Sequence, residues 1–90
     1  MKPILYFSAL CPDTAPFVAE LQRLGVEYES VDILENLANL KRFTKLRDQH
    51  SAFDEAKENG YLGIPALEIE WSTWGNGVIL EVEKLKSLVI

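Results

Sequence analysis

The chain has 90 residues, 48% of them hydrophobic and 26% charged, with a formal net charge of −5. That length supports one core rather than two, and those proportions exclude an intrinsically disordered chain. The acidic balance argues against non-specific binding to nucleic acid, which needs cations to displace counterions.

The apolar stretch of the opening Met1–Phe7 is too short for a secretory leader, and no run approaches the roughly 20 residues that span a bilayer. A cytoplasmic location with no membrane contact is expected. Ile4-Leu5-Tyr6-Phe7 is continuously apolar, the pattern of a strand buried on both faces. From about Pro12 to Leu24 the pattern is helical: Phe17, Val18, Leu21 and Leu24 form one stripe, and Gly25 supplies the stop. Val26 to Ile33 alternates and predicts a second strand, parallel to the first through a right-handed crossover.

Leu37, Leu40, Phe43 and Leu46 recur at helical spacing. Around them Lys41, Arg42, Lys45 and Arg47 read as a solvated helix face first and as an anion contact second. Ser51 with Asp54 and Glu55 reads as a fresh N-cap, and Asn59-Gly60 as a stop. A long helix followed by a short one, or one helix broken near His50, is expected. Leu67–Trp71 alternates, Val78-Ile79-Leu80 is apolar, and Asn76-Gly77 between them is a hairpin signal. Val82, Leu85, Leu88 and Val89 space a final amphipathic helix. The expected fold is α/β, in the order β-α-β-α-β-β-α, as a single domain over residues 1–90. A four-stranded mixed sheet would carry helices on both faces.

One cysteine excludes an internal disulfide, and it also excludes an all-cysteine metal site. His50 reads as part of a polar helix end, so no metal centre is expected. Cys11 itself falls where the first strand gives way to the first helix. Unpaired N–H groups and the helix dipole there favour thiolate over thiol, and thiolate is the nucleophile of disulfide exchange. Two residues temper this. Pro16 is compatible with a helix that begins at Thr14 and leaves Cys11 a turn upstream, and Asp13 beside the thiol opposes its ionisation. The alternative for Cys11 is a small buried core residue.

Tyr6-Phe7-Ser8-Ala9-Leu10-Cys11-Pro12-Asp13-Thr14, together with Gly63-Ile64-Pro65, resembles a glutaredoxin of the thioredoxin superfamily. The resemblance covers nearly the whole chain in element order and implies a thioredoxin-like fold. It implies a cis Ile64–Pro65 bond packed beside Cys11. Thr14 stands where a dithiol glutaredoxin has its second cysteine, so the implied chemistry is monothiol. Thr14 would then hydrogen-bond the thiolate or cap the helix. Pro12 and Asp13 depart from the Cys-Gly-Phe-Ser of cluster-binding relatives.

The glutathione contacts of such proteins are partly missing. Ser8 replaces a lysine, and Glu81-Val82-Glu83 replaces a glycine pair, although Arg42 or Lys45 is placed to compensate for Glu81. The resemblance therefore implies thiol–disulfide exchange through Cys11 on mixed disulfides. Pro12, Asp13, Ile64 and Pro65 would line the substrate site, with no resident cofactor. Glutathione or another low-molecular-weight thiol would serve as co-substrate, or a disulfide-containing protein as substrate. A monomer is expected. The rival reading is a non-catalytic binding or adaptor domain of the same fold, and Trp71 with Trp74 offers such a domain a docking surface.

Overall fold

In a computed structural model, residues 2–72 and 75–88 are described. Strand β1 (Ile4–Phe7) leads to helix α1 (Thr14–Arg23), strand β2 (Glu29–Asp32) and helix α2 (Leu37–Gln49). A 3₁₀ turn (Ser51–Phe53) feeds the short helix α3 (Asp54–Asn59), which is followed by β3 (Ala66–Ser72) and β4 (Gly75–Ile79). The described chain ends in a 3₁₀ helix (Val82–Leu88). The four strands form one mixed sheet in the order β2-β1-β3-β4. β1 and β2 are parallel, whereas β3 runs antiparallel to both β1 and β4.

The central position of β1 explains its unbroken apolar sequence, since successive side chains of a strand point to opposite faces. Ile4 and Tyr6 join Val31, Ile33, Phe43, Phe53 and Ala66 in one core. Leu5 joins Phe17, Leu21, Leu67, Ile69 and Leu85 in the other. α2 and the turn after it thus cover one face, while α1 and the C-terminal 3₁₀ helix cover the opposite one.

Several boundaries differ from the sequence pattern, each for a local reason. β2 begins at Glu29 rather than Val26 because the N–H groups of Gly25 and Val26 return to the carbonyls of Gln22 and Leu21. This paired cap satisfies the end of α1 and takes Val26 out of the strand. The break after α2 falls at His50. Its Nδ1 accepts the Ala52 N–H at 3.0 Å, so His50 rather than Ser51 caps the next turn.

Asn76 and Gly77 lie inside β4, paired with Glu70 and Ile69. A turn at Asn76-Gly77 would leave β4 too short to form these pairs. The two strands instead close at the Ser72–Gly75 pair, ahead of Asn76-Gly77, and Trp74, like the side chain of Trp71, lies outside the described residues. The last element is 3₁₀ rather than α-helical. Its apolar Val82 and Leu85 are three residues apart, which a three-residue turn stacks directly, and Leu85 is fully buried.

Tyr6 ties the sheet to α2. Its ring is buried 5.6 Å from Phe43, its hydroxyl donates to Glu68 at 3.3 Å, and the Arg42 guanidinium lies 5.9 Å above the ring. Burial, and then the Glu68 charge, raise the phenol above its ordinary value of 10.0, with Arg42 opposing. The unfolded phenol ionises nearer that ordinary value. This group's contribution to stability is therefore complete below about pH 10 and is lost as pH climbs through the raised folded value. Urea unfolding of the wild type should accordingly show a stability decline above about pH 10 that is shallower in Tyr6→Phe. Equal slopes would show that the phenol is not linked to folding.

Candidate functional site

β1 ends at Phe7, and the next residues fold into two successive turns. The Cys11 N–H donates to the Ser8 carbonyl at 3.1 Å, and the Thr14 N–H donates to the Cys11 carbonyl at 3.2 Å. Ser8 is the hub of this loop. It is only 4% exposed, its hydroxyl oxygen accepts the Leu10 N–H at 3.1 Å, and its carbonyl also accepts the Thr14 hydroxyl at 2.8 Å. A buried hydroxyl and carbonyl with these partners leave the loop little freedom to open, because an unmet donor or acceptor there costs about 1–3 kcal/mol.

Of the two starts open to the first helix, the structure has the later one, and it gives Thr14 a different partner from those expected. α1 begins at Thr14, with Asp13 as an N-cap whose side chain makes no capping bond. Cys11 and Pro12 therefore precede the helix, and the thiol is positioned by turns rather than by the first helical turn. Pro16 takes the first-turn position, where an N–H has no intrahelical partner. Thr14 is not the N-cap, and its hydroxyl proton is given to the Ser8 carbonyl rather than to the sulfur.

The opposite wall comes from the segment after α3. The Tyr61 N–H returns to the Ala56 carbonyl at 2.8 Å, closing α3 at Gly60. Arg47 of α2 then holds the next residues: its Nε donates to the Leu62 carbonyl at 2.9 Å and its Nη2 to the Tyr61 carbonyl at 2.6 Å. Gly63 follows at φ +91°, with its α-carbon against the buried Phe53 ring. The Ile64–Pro65 peptide bond is cis. This path brings the Ile64 carbonyl within 3.9 Å of the Cys11 sulfur, as acceptor of the S–H.

Between the walls lies a cleft of about 750 Å³, lined on one side by Leu10, Cys11 and Asp13 and on the other by Tyr61, Leu62, Ile64 and Pro65. Of the expected site residues, Cys11, Asp13, Ile64 and Pro65 meet there, whereas Pro12 and Thr14 are not among its lining residues. Cys11 is half-buried, so it is not the enclosed core residue of the alternative reading.

The compensating cations are absent from the cleft. Arg42 is engaged 3.1 Å from Glu29, and neither Arg42 nor Lys45 is a lining residue. Among the described residues no group of three or more His, Cys, Asp or Glu side chains is gathered to hold a metal ion. No described helix is long and apolar enough to cross a membrane.

Ser8 and Arg47 are the positions that pattern reading missed. Ser8 is short and polar after an apolar strand, which marks a strand end but not a hydrogen-bond hub. Arg47 belongs to a basic cluster, and nothing local distinguishes it from its solvated neighbours.

No family model matches the chain, and no solved structure matches it. Over 86 residues it is 57% identical to an uncharacterized protein of Haemophilus influenzae, with 94% of each chain covered.

A Cβ at Gly63 would lie 2.7 Å from a Phe53 ring carbon, whereas at Gly60 it meets nothing within 4 Å. Both glycines have positive φ, so alanine at either adds about 1–2 kcal/mol of backbone strain. Only at Gly63 does overpacking add a further ~1–3 kcal/mol. Chemical denaturation should therefore rank Gly63→Ala as clearly less stable than Gly60→Ala, and equal losses would contradict the close approach. In the facing loop, Thr14→Val should cost about 1 kcal/mol in the same measurement, the usual worth of one such hydrogen bond.

Proposed function

We propose that this chain, which belongs to the same family as the Haemophilus influenzae protein, is a glutaredoxin-like thiol–disulfide exchange protein with a thioredoxin fold. The observation that carries this reading is the setting of Cys11. A half-buried thiol stands on a hydrogen-bonded loop at the mouth of a cleft, 3.9 Å from a carbonyl of the facing wall. The sheet order β2-β1-β3-β4, with one parallel and two antiparallel pairings and helices on both faces, supports the fold assignment.

With one cysteine in the chain, the cycle is monothiol. The Cys11 thiolate attacks one sulfur of a mixed disulfide, forming a Cys11–substrate disulfide as the old S–S bond breaks and its other sulfur leaves as thiolate. An external thiolate then attacks the substrate sulfur. It takes the substrate into a new disulfide and returns Cys11 to thiolate. Each step forms one S–S bond and breaks one, so no further oxidant or reductant enters. The chain works where small thiols are abundant, as in the cytoplasm.

Thr14 acts indirectly in this scheme, by holding the Ser8–Cys11 loop. Asp13, Ile64 and Pro65 border the incoming disulfide. A non-catalytic binding domain is the second reading, favoured by the large apolar side chains left exposed on the cleft rim.

The two are separated by measuring exchange with an alkyl-thiol mixed disulfide at neutral pH, alongside mass spectrometry of the protein. The redox reading expects a Cys11 adduct, turnover on adding a second thiol, and loss of both in Cys11→Ser. Exchange no faster than that of a cysteine-containing peptide at the same pH would overturn it in favour of the binding domain.

A further inference from the structure

The walls around Cys11 differ from the surroundings of a site for an anionic small thiol. Leu10 is 83% exposed and Tyr61 66%, and Leu34 and Leu62 are also exposed, all four on the rim of the cleft. Past Pro65 the cleft runs into a second hollow of about 290 Å³, which shares Asp13, Ile64, Pro65, Leu80 and Glu81 and adds Phe17 and Glu83. Four carboxylates line the two hollows together, those of Asp13, Glu55, Glu81 and Glu83, and none of the lining residues is Lys, Arg or His.

Two cations stand just outside. Lys84 lies 3.3 Å from Glu81 in a solvent-exposed pair, which is worth little. Arg47 is turned to the Tyr61 and Leu62 carbonyls. The groove as a whole remains acidic on an acidic chain.

We infer that this groove receives a polypeptide segment in which apolar residues flanked by Lys or Arg surround the cysteine of the mixed disulfide. This inference rests on the exchange chemistry proposed above and names its substrate class. Glutathione is a poor match, because it carries two carboxylates and one ammonium group and has no apolar side chain. A basic, apolar segment satisfies both features of the groove. Its aliphatic side chains cover Leu10, Leu34, Tyr61 and Leu62, and its cations approach Glu55, Glu81 and Glu83. Two adjoining hollows that share one wall offer an extended chain more contact than a compact ligand in either one.

Binding is tested apart from chemistry with the Cys11→Ser protein and fluorescently labelled pentapeptides that have serine at the centre. One peptide has leucines flanked by lysines, one has leucines flanked by glutamates, and one has glycines flanked by lysines. The lysine–leucine peptide should bind at least about tenfold more tightly than either of the others, a difference of 1.4 kcal/mol. Its affinity should fall with added salt, as exposed charge interactions do. It should also fall in Glu55→Gln/Glu81→Gln/Glu83→Gln and in Leu10→Ser.

Equal binding of the three peptides overturns the inference, as does preference for the glutamate peptide or no binding of any at millimolar concentration. Wild-type turnover on glutathione and peptide mixed disulfides is measured in parallel. Preference for the glutathione substrate would refute the substrate class and leave exchange at Cys11 standing. Absence of turnover on every disulfide would refute the exchange reading itself.

Discussion

The stack of rings from Tyr6 through Phe43 to Phe53 fixes the distance between the two walls of the cleft. Tyr6 lies on the central strand and Phe43 on α2, 5.6 Å apart. Phe53, 5.7 Å further on and edge-on to Phe43, belongs to the turn after α2. All three rings are buried. Gly63 then rests on Phe53 where no side chain fits, and Ile64 follows opposite Cys11. The other wall grows from the same strand, because Ser8 directly continues β1 and anchors the loop that carries Cys11. Both sides of the thiol's surroundings therefore refer back to β1, one through packing and the other through covalent continuity. A shift of α2 over the sheet would be transmitted to the Ile64 carbonyl.

Charge is arranged differently from packing. Two basic residues of α2 are occupied outside the hollow, Arg42 with Glu29 and the Tyr6 ring, and Arg47 with the Tyr61 and Leu62 carbonyls behind the cleft wall. These cations serve the architecture of the walls. What faces the hollow is a set of carboxylates on α3, on the Cys11 loop and on the start of the 3₁₀ helix. The chain's net charge of −5 is thus concentrated in part around its only thiol. Long-range attraction at that site favours cations, and it is screened over roughly 8–10 Å at ordinary ionic strength.

Much of this was legible in the residue order, for identifiable reasons. The sheet and its covering helices were readable because β1 is apolar at every position and the helices repeat their apolar residues at helical spacing, so burial and periodicity agreed. The place of Cys11 at a strand end was readable from the same strand boundaries, whereas its position opposite a cis Ile64–Pro65 bond was implied only by the resemblance. What escaped was set by contacts between distant segments. The Thr14 hydroxyl had two local roles available and took neither, because the Ser8 carbonyl lies within its reach once the loop turns. Asn76-Gly77 carries strong local turn preference, yet the pairing of β4 with β3 places both residues in the strand. Arg47 could be assigned only once α2 and the segment after α3 were side by side.

The same distinction bears on function. A reactive thiol needs a nucleophile that a partner sulfur can reach, and the half-buried Cys11 at the cleft mouth meets that requirement. Specificity needs surroundings that favour one partner over another, and this depends on the groove rather than on the sulfur. The exposed leucines and the carboxylates occur on both walls, so neither wall alone defines the substrate. Apolar contact supplies area without direction, whereas the carboxylates supply direction at little cost in desolvation because they remain exposed. On the proposed reading, a cleft built this way would discriminate by the charge that flanks an apolar segment. The central strand and the aromatic stack connect the two walls on which that discrimination would depend.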